Sequence, residues 1–287
     1  MKGRLHAALL ALLGIPLLST ATVGLITLRL GHRQGTLILL IALIPTLIGV
    51  AMGRMPALLL WLSLISVFSV FAYSVLLRAT VSWVFTLLGA CALMVLVTPL
   101  LAWQFDSLVE SFSRVMASPQ ALLGEGSEGL SSEGLSNEPV MSDSKPVPLQ
   151  SVALVSGIVA LLTMVNGFSS LVLARWWQSL LYNPGGFGDE FQAIRLTISP
   201  AVVLAVLAAV CFLGGRDFVF WLLVFLSPLA IAALALAHFV AKAKGLGVSW
   251  LASLYLLTVF FLMPMIAVLA LIGLLDAVLN FRERLAS

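Results

Sequence analysis

Long apolar runs separated by brief charged punctuation organise this chain. The first extends from Leu5 to Leu28 behind Lys2 and Arg4. Small residues at Ser19–Ala21 mimic a signal-peptide cleavage site, but the apolarity carries on past them. The run is long enough to cross a hydrocarbon core of about 30 Å, which favours an uncleaved first span. Thr36–Met52 follows, interrupted by Pro45, and then Pro56–Leu77 and Val81–Trp103. A polar stretch, Gln104–Gln150, precedes four more runs: Ser151–Leu173, Thr197–Gly214, Phe218–Phe239 and Val248–Leu275. The pattern predicts eight spans, or seven or nine if the short second run pairs differently. None alternates with the period of two that a barrel strand needs. The expected architecture is therefore all-α: a polytopic helical transmembrane bundle with one disordered polar insertion. A first four-span half covers 1–103, the insertion 104–150, and a second four-span half 151–287.

Composition narrows the class further. Of 287 residues, 61% are apolar and only 9% charged, with a mean hydropathy of +1.15. A soluble domain carries about 25% charged residues, so this one cannot cover its surface with charge. A soluble enzyme, a secreted disulfide scaffold and a nucleic-acid-binding domain are excluded, and the lipid bilayer is the first partner. Cys91 and Cys211 lie inside apolar runs, where buried small hydrophobes are expected. With eight spans both termini share a side, and Lys and Arg divide eight to seven between the two sides. That near balance gives the positive-inside rule little to work on. Both ends are placed in the cytoplasm because Lys2/Arg4 and Arg282/Arg284 abut spans. Small residues recur along the spans, as in Ala201, Ala205 and Ala209, in Ala233, Ala237 and Ala241, and in Ala153, Gly157, Ala160 and Gly167. Such residues let helices approach closely in lipid.

The insertion has two parts. Phe105, Leu108, Val109, Phe112, Val115 and Met116 share one helical face, which suggests an interfacial amphipathic helix or an extension of the fourth span. A tandem SEGLS repeat at Ser127–Ser136 begins an acidic segment that cannot bury a core and is expected to be disordered. It reads either as a solvated linker or as a docking segment.

Charge inside a span costs at least about 2.5–3.5 kcal/mol, and the span cores here hold only Asn166, with His238 near an end. An interhelical hydrogen bond is expected for the first and an interfacial position for the second. Polarity concentrates instead in Arg175–Arg195, an elbow at 174–196. Asn183-Pro184-Gly185-Gly186 stops one helix, and Asp189 and Glu190 fall in the first turn of the next, where the helix dipole favours acids. Trp176, Trp177 and Tyr182 suit the headgroup level. Two readings stay open: a surface elbow anchoring two spans, or a re-entrant cap over a ligand cavity with Arg175, Asp189, Glu190 and Arg195 as its polar groups. A second cluster closes the chain, where Asp276, Asn280 and Arg284 are four apart and share a helical face. It is either a helix end docking onto a loop or ordinary charged punctuation. No nucleophile–base set, metal-ligand spacing or nucleotide motif is present, so neither an enzyme nor a cofactor is expected.

The stretch LARWWQSLLYNPGGFGDEF (Leu173–Phe191) and the ending LLDAVLNFRER (Leu274–Arg284) resemble the bacterial DUF2232 family of membrane proteins, which includes YybS-like proteins. The resemblance covers the chain apart from its insertion and implies a bacterial cytoplasmic membrane. That family has no established activity, so no catalytic residue carries over. A more distant similarity is to the membrane substrate-binding components of energy-coupling-factor vitamin transporters. Those proteins pair with a coupling subunit through small residues on the first helix, and Ala7 and Ala11 match that spacing. The reading that follows is a small-molecule binding or transport component with a coupling subunit or other membrane protein as partner. The alternative is a non-enzymatic scaffold that recruits a partner through the acidic insertion.

Overall fold

A computed structural model describes residues 11, 16–54, 57–102 and 149–286, and every regular element among them is helical. In order these are α1 (Pro16–Leu30), α2 (His32–Ala51), α3 (Ala57–Thr80), α4 (Trp83–Ala102), α5 (Leu149–Tyr182), α6 (Gly186–Gln192) and α7 (Ile198–Leu213). A 3-10 turn at Arg216–Phe218 leads into α8 (Val219–Ala243), α9 (Val248–Phe260), α10 (Leu262–Leu279) and α11 (Phe281–Ala286). Five helical stretches are long and apolar enough to cross a membrane: His32–Ala51, Leu59–Thr80, Val152–Tyr182, Arg216–Ala243 and Leu262–Leu279. α1, α4, α7 and α9 contribute shorter apolar stretches.

Helices suit these runs because a backbone in hydrocarbon must satisfy its own N–H and C=O groups. The hydroxyls obey the same constraint. Thr27, Ser69, Ser74 and Thr98 each donate to the carbonyl four residues back, at 2.6–2.7 Å, and so cost little to bury. A single residue, Gly31 at φ 93°, reverses the chain between α1 and α2.

α5 and α8 form the spine. α5 packs on α1, α3, α4 and α8, and α8 carries α7 and α10 on its other sides. Tyr73, Leu87, Met94, Met164, Leu171, Val224 and Leu229 are fully buried between them. The insertion therefore divides the sequence but not the packing, since the helix that follows it joins three helices that precede it. The expected amphipathic helix and acidic repeat lie outside the described residues, as does Ala7; Ala11 is buried.

Some small residues serve as anticipated. Gly157 faces Trp221 and Phe220 of α8, and Gly167 faces Tyr73 of α3. The four-apart ridge on α7 is different: Ala201 is buried but Ala209 is exposed, and the buried stripe is Ala201, Leu204, Ala208 and Cys211. At 3.6 residues per turn a strict four-residue step drifts off the contact face, whereas alternating threes and fours hold it. Both cysteines are free and buried, as the sequence suggests.

The last apolar run departs from expectation. Val248–Leu275 is not one span but two helices broken at Phe261 (φ −120°, ψ 51°). Pro264 explains the break: it fits the first turn of α10 but could not continue α9. Four residues join α9 to the end of α8, and that end is tied to α6 by a Lys242–Asp189 ion pair at 2.7 Å. The far end of α10 is bonded to Arg195, just beyond α6. Both ends of the α9–α10 pair thus lie at the same end of the bundle, and the pair is a hairpin.

α8 and α10 approach closely at Gly273. A Cβ added to Gly273 would run into the backbone carbonyl of Leu229, which cannot move aside. Gly273→Ala is expected to destabilise the purified protein by about 1–3 kcal/mol through overpacking. Gly188→Ala, where open space awaits a Cβ, should leave the unfolding temperature unchanged. Thermal unfolding in detergent micelles of the two variants against the parent checks the contrast.

Candidate functional site

Every sequence-highlighted polar group from Arg175 to Arg284 falls at one end of the bundle, where α1, α3, α5, α8 and α10 finish. The elbow itself is α6, seven residues with two faces. Phe187 and Phe191 are four apart and point inward. Phe187 meets Trp83 edge-on (centroids 6.2 Å), and Phe191 meets His238 edge-on (5.4 Å). His238 in turn shares a 2.7 Å hydrogen bond with the Tyr255 hydroxyl. One aromatic series thus links α4, α6, α8 and α9 beneath the elbow. Edge-to-face pairs of this kind contribute about 0.5–1.5 kcal/mol beyond their burial.

The outward face of α6 carries the acids. Glu190 receives both Nε (2.9 Å) and Nη2 (2.5 Å) of Arg175, a two-pronged bond across the Asn183–Gly186 break. Gln178 holds the third guanidinium nitrogen at 2.8 Å. Asp189 instead pairs with Lys242, and both are well exposed, so that bridge contributes little to stability. The break comes from Asn183 and the left-handed Gly185 (φ 89°). Tyr182 lies exposed under the Arg29 guanidinium, 4.8 Å from its ring centroid. Trp177 is half-buried, and Trp176 is exposed beside an apolar groove shared with Phe168, Phe187 and Phe191.

The second cluster meets the first. Asp276 is 1% exposed. Its Oδ1 accepts the Phe281 N–H (3.1 Å), and its Oδ2 lies 3.7 Å from Arg282 Nε, an ion pair too long for a hydrogen bond. Arg282 Nη2 donates to the Ile194 carbonyl at 2.6 Å. Arg195 donates to the carbonyls of Asp276 and Ala277, both at 3.3 Å. Burial lowers the Arg282 pKa, attraction to the Asp276 carboxylate opposes this, and nearby Arg195 adds to the lowering. The expected shared face of Asp276, Asn280 and Arg284 does not form. Asn280 is left-handed (φ 48°) and ends α10, so Arg284 belongs to a separate helix. The partner of Asp276 is Arg282, two residues closer.

Among the contributors without a site role in the sequence analysis are Arg78, Arg282, Lys242, Trp83 and the Phe187/Phe191 pair. Only the last left a sequence signal, an i, i+4 aromatic spacing. Arg78, at the end of α3, donates to the carbonyls of Thr27 (3.3 Å) and Leu28 (2.8 Å). With Ser82, Trp83, Arg175, Gln178 and Glu190 it lines a cavity of about 480 Å³ between the ends of α1, α3 and α5 and the elbow. Among the described residues no group of His, Cys, Asp and Glu could hold a metal ion. No family model matches the chain, and no curated protein or solved structure matches it at a significant level.

Asp276 supplies a stability test. Asp276→Leu strands the Arg282 charge and an amide, with an expected loss of about 3–5 kcal/mol. Asp276→Asn keeps an acceptor for the Phe281 amide and should lose clearly less. Chemical denaturation of the two variants in micelles would reveal the order.

Proposed function

We propose that the chain is a multi-pass membrane component that binds or transports a small molecule, with its elbow end in the cytoplasm of a bacterial cell. The observation that carries the reading is the elbow-end cavity, whose volume falls within the range of small-molecule sites. Polar side chains from α3, α5 and α6 converge on its apolar walls. Arg175 is committed to Glu190 and Gln178, so it and Glu190 form wall and clasp. Arg78 has no carboxylate partner among the described residues and spends one nitrogen on carbonyls. The ligand this favours presents an anionic or strongly accepting group to Arg78.

The α9–α10 hairpin supports the orientation. Because that pair enters and leaves at the elbow end, Arg282 and Arg284 join Arg29, Arg33, Arg78, Arg175, Arg195, Lys242 and Lys244 there. Nine bases then stand at the elbow end, against Arg54 and Arg216 at the other among the described residues. The near balance of an eight-span count becomes an asymmetry, which favours a cytoplasmic elbow. The start of α1 and the end of α10 lie at opposite ends, so on this reading the end of α10 faces the cytoplasm and the start of α1 faces away from it.

Labelling with a membrane-impermeant maleimide, in a background where Cys91 and Cys211 are alanine, tests the orientation. Arg54→Cys is expected to react in cells with an opened outer layer, and Lys244→Cys only after lysis; the reverse pattern would refute it. Native purification in nanodiscs with mass spectrometry tests the function. A small molecule present at stoichiometric amounts and lost in Arg78→Ala is expected. Lipid alone would defeat the reading.

A further inference from the structure

A second cavity, of about 560 Å³, lies in the half of the bundle remote from the elbow, between α1, α2, α3 and α5. Its polar lining includes Ser19, Thr46, Ser63, Ser66, Thr163 and Asn166, and among the described residues no ionisable side chain touches it. Leu59 (40% exposed) and Leu162 (65% exposed) stand at its rim, so it opens sideways onto the apolar outer surface rather than onto either end.

Elsewhere in the same helices most hydroxyls bond back to their own backbone, the buried Tyr73 Oη, which finds no partner among the described residues, being an exception. Thr22, Thr27, Ser69 and Ser74 satisfy themselves against their own helix. In the cavity, by contrast, Asn166 Nδ2 reaches across to Ser66 Oγ (2.6 Å), and Thr46 shares a hydrogen bond with Ser63 (3.0 Å). Ser19 Oγ has no partner among the described residues although its residue is only 5% exposed. A buried hydroxyl left unmatched is costly, and an amide retains further donor and acceptor capacity after one bond. Unmatched hydrogen-bonding groups, an apolar mouth and no charge together describe the complement of a particular ligand.

We infer that this cavity is a binding site for an uncharged, single-chain amphiphile with a hydroxyl-bearing head, entering laterally from the bilayer. The head exchanges hydrogen bonds with Ser19, Ser66 and Asn166, and the chain leaves over Leu59 and Leu162. A carboxylate head is rejected, because nothing in the lining formed by the described residues could neutralise it in so dry a place. The inference does not depend on the elbow-end cavity.

The test is photolabelling of the full chain in phospholipid nanodiscs with a diazirine-bearing hexadecanol, and with the matching diazirine palmitate as its charged counterpart. The alcohol is expected to label Leu17–Val23, Leu59–Val67 and Ile158–Asn166, and an excess of plain hexadecanol should abolish the labelling. Ser19→Ala should weaken alcohol affinity about fivefold, as the loss of one neutral hydrogen bond implies. Leu162→Trp, which fills the mouth from the outer surface, should abolish labelling even if Ser19→Ala disturbs α1. Arg78→Ala should change nothing, which separates this site from the elbow end. Labelling that is unsaturable and equally dense on α7 and α9, or that persists in Leu162→Trp, would overturn the inference. So would palmitate labelling as strong as that of the alcohol.

Discussion

Helix-end carbonyls are the constraint on which the elbow end of this bundle depends. A helix leaves its last carbonyls without an internal donor, and five helices finish together here. Two guanidinium groups answer them across elements, and a third holds the link beyond the elbow. Arg78 donates to the end of α1, Arg195 to the end of α10, and Arg282 to the α6–α7 link. Each positive group also sits where helix dipoles concentrate negative potential. Two of these bonds end on residues that line the elbow-end cavity, Arg78 on Leu28 and Arg282 on Ile194.

That arrangement fixes how the last segment must run. The end of α10 can satisfy Arg195 only by returning to the elbow, and α9 must leave from the same place. A break at Phe261 becomes necessary, and Pro264 makes it local. The Asp276–Arg282 pair then closes the return. Its burial makes it a weak source of net stability but a strong determinant of where α10 stops. The left-handed Asn280 turns the chain so that Arg282, rather than Arg284, reaches the carboxylate.

The interior polar groups divide along similar lines. Hydroxyls that bond back to their own helix are silent, and most do. Two pairings that reach across to another helix, Asn166 with Ser66 and Thr46 with Ser63, meet in one lateral cavity, where Ser19 finds no partner among the described residues. Polarity in lipid is expensive, so such a concentration is the feature of the apolar half of the molecule that most needs a ligand.

Apolar runs and their charged punctuation were enough to dictate helices, their approximate limits and a membrane setting, because hydrocarbon permits a backbone few other choices. The elbow was legible too: Asn183-Pro184-Gly185-Gly186 breaks a helix through local dihedral preference alone. So was the interhelical role of Asn166, since an amide in a span must find a partner. Tertiary structure alone decided the partners. Arg175 with Glu190, Asp189 with Lys242 and Arg78 with α1 join residues 15, 53 and 50 or 51 positions apart, distances at which no sequence periodicity operates. It also decided that Val248–Leu275 folds back on itself. Length and hydropathy are the same for one long span as for a hairpin of two shorter legs, and only the bonds at the end of α10 distinguish them.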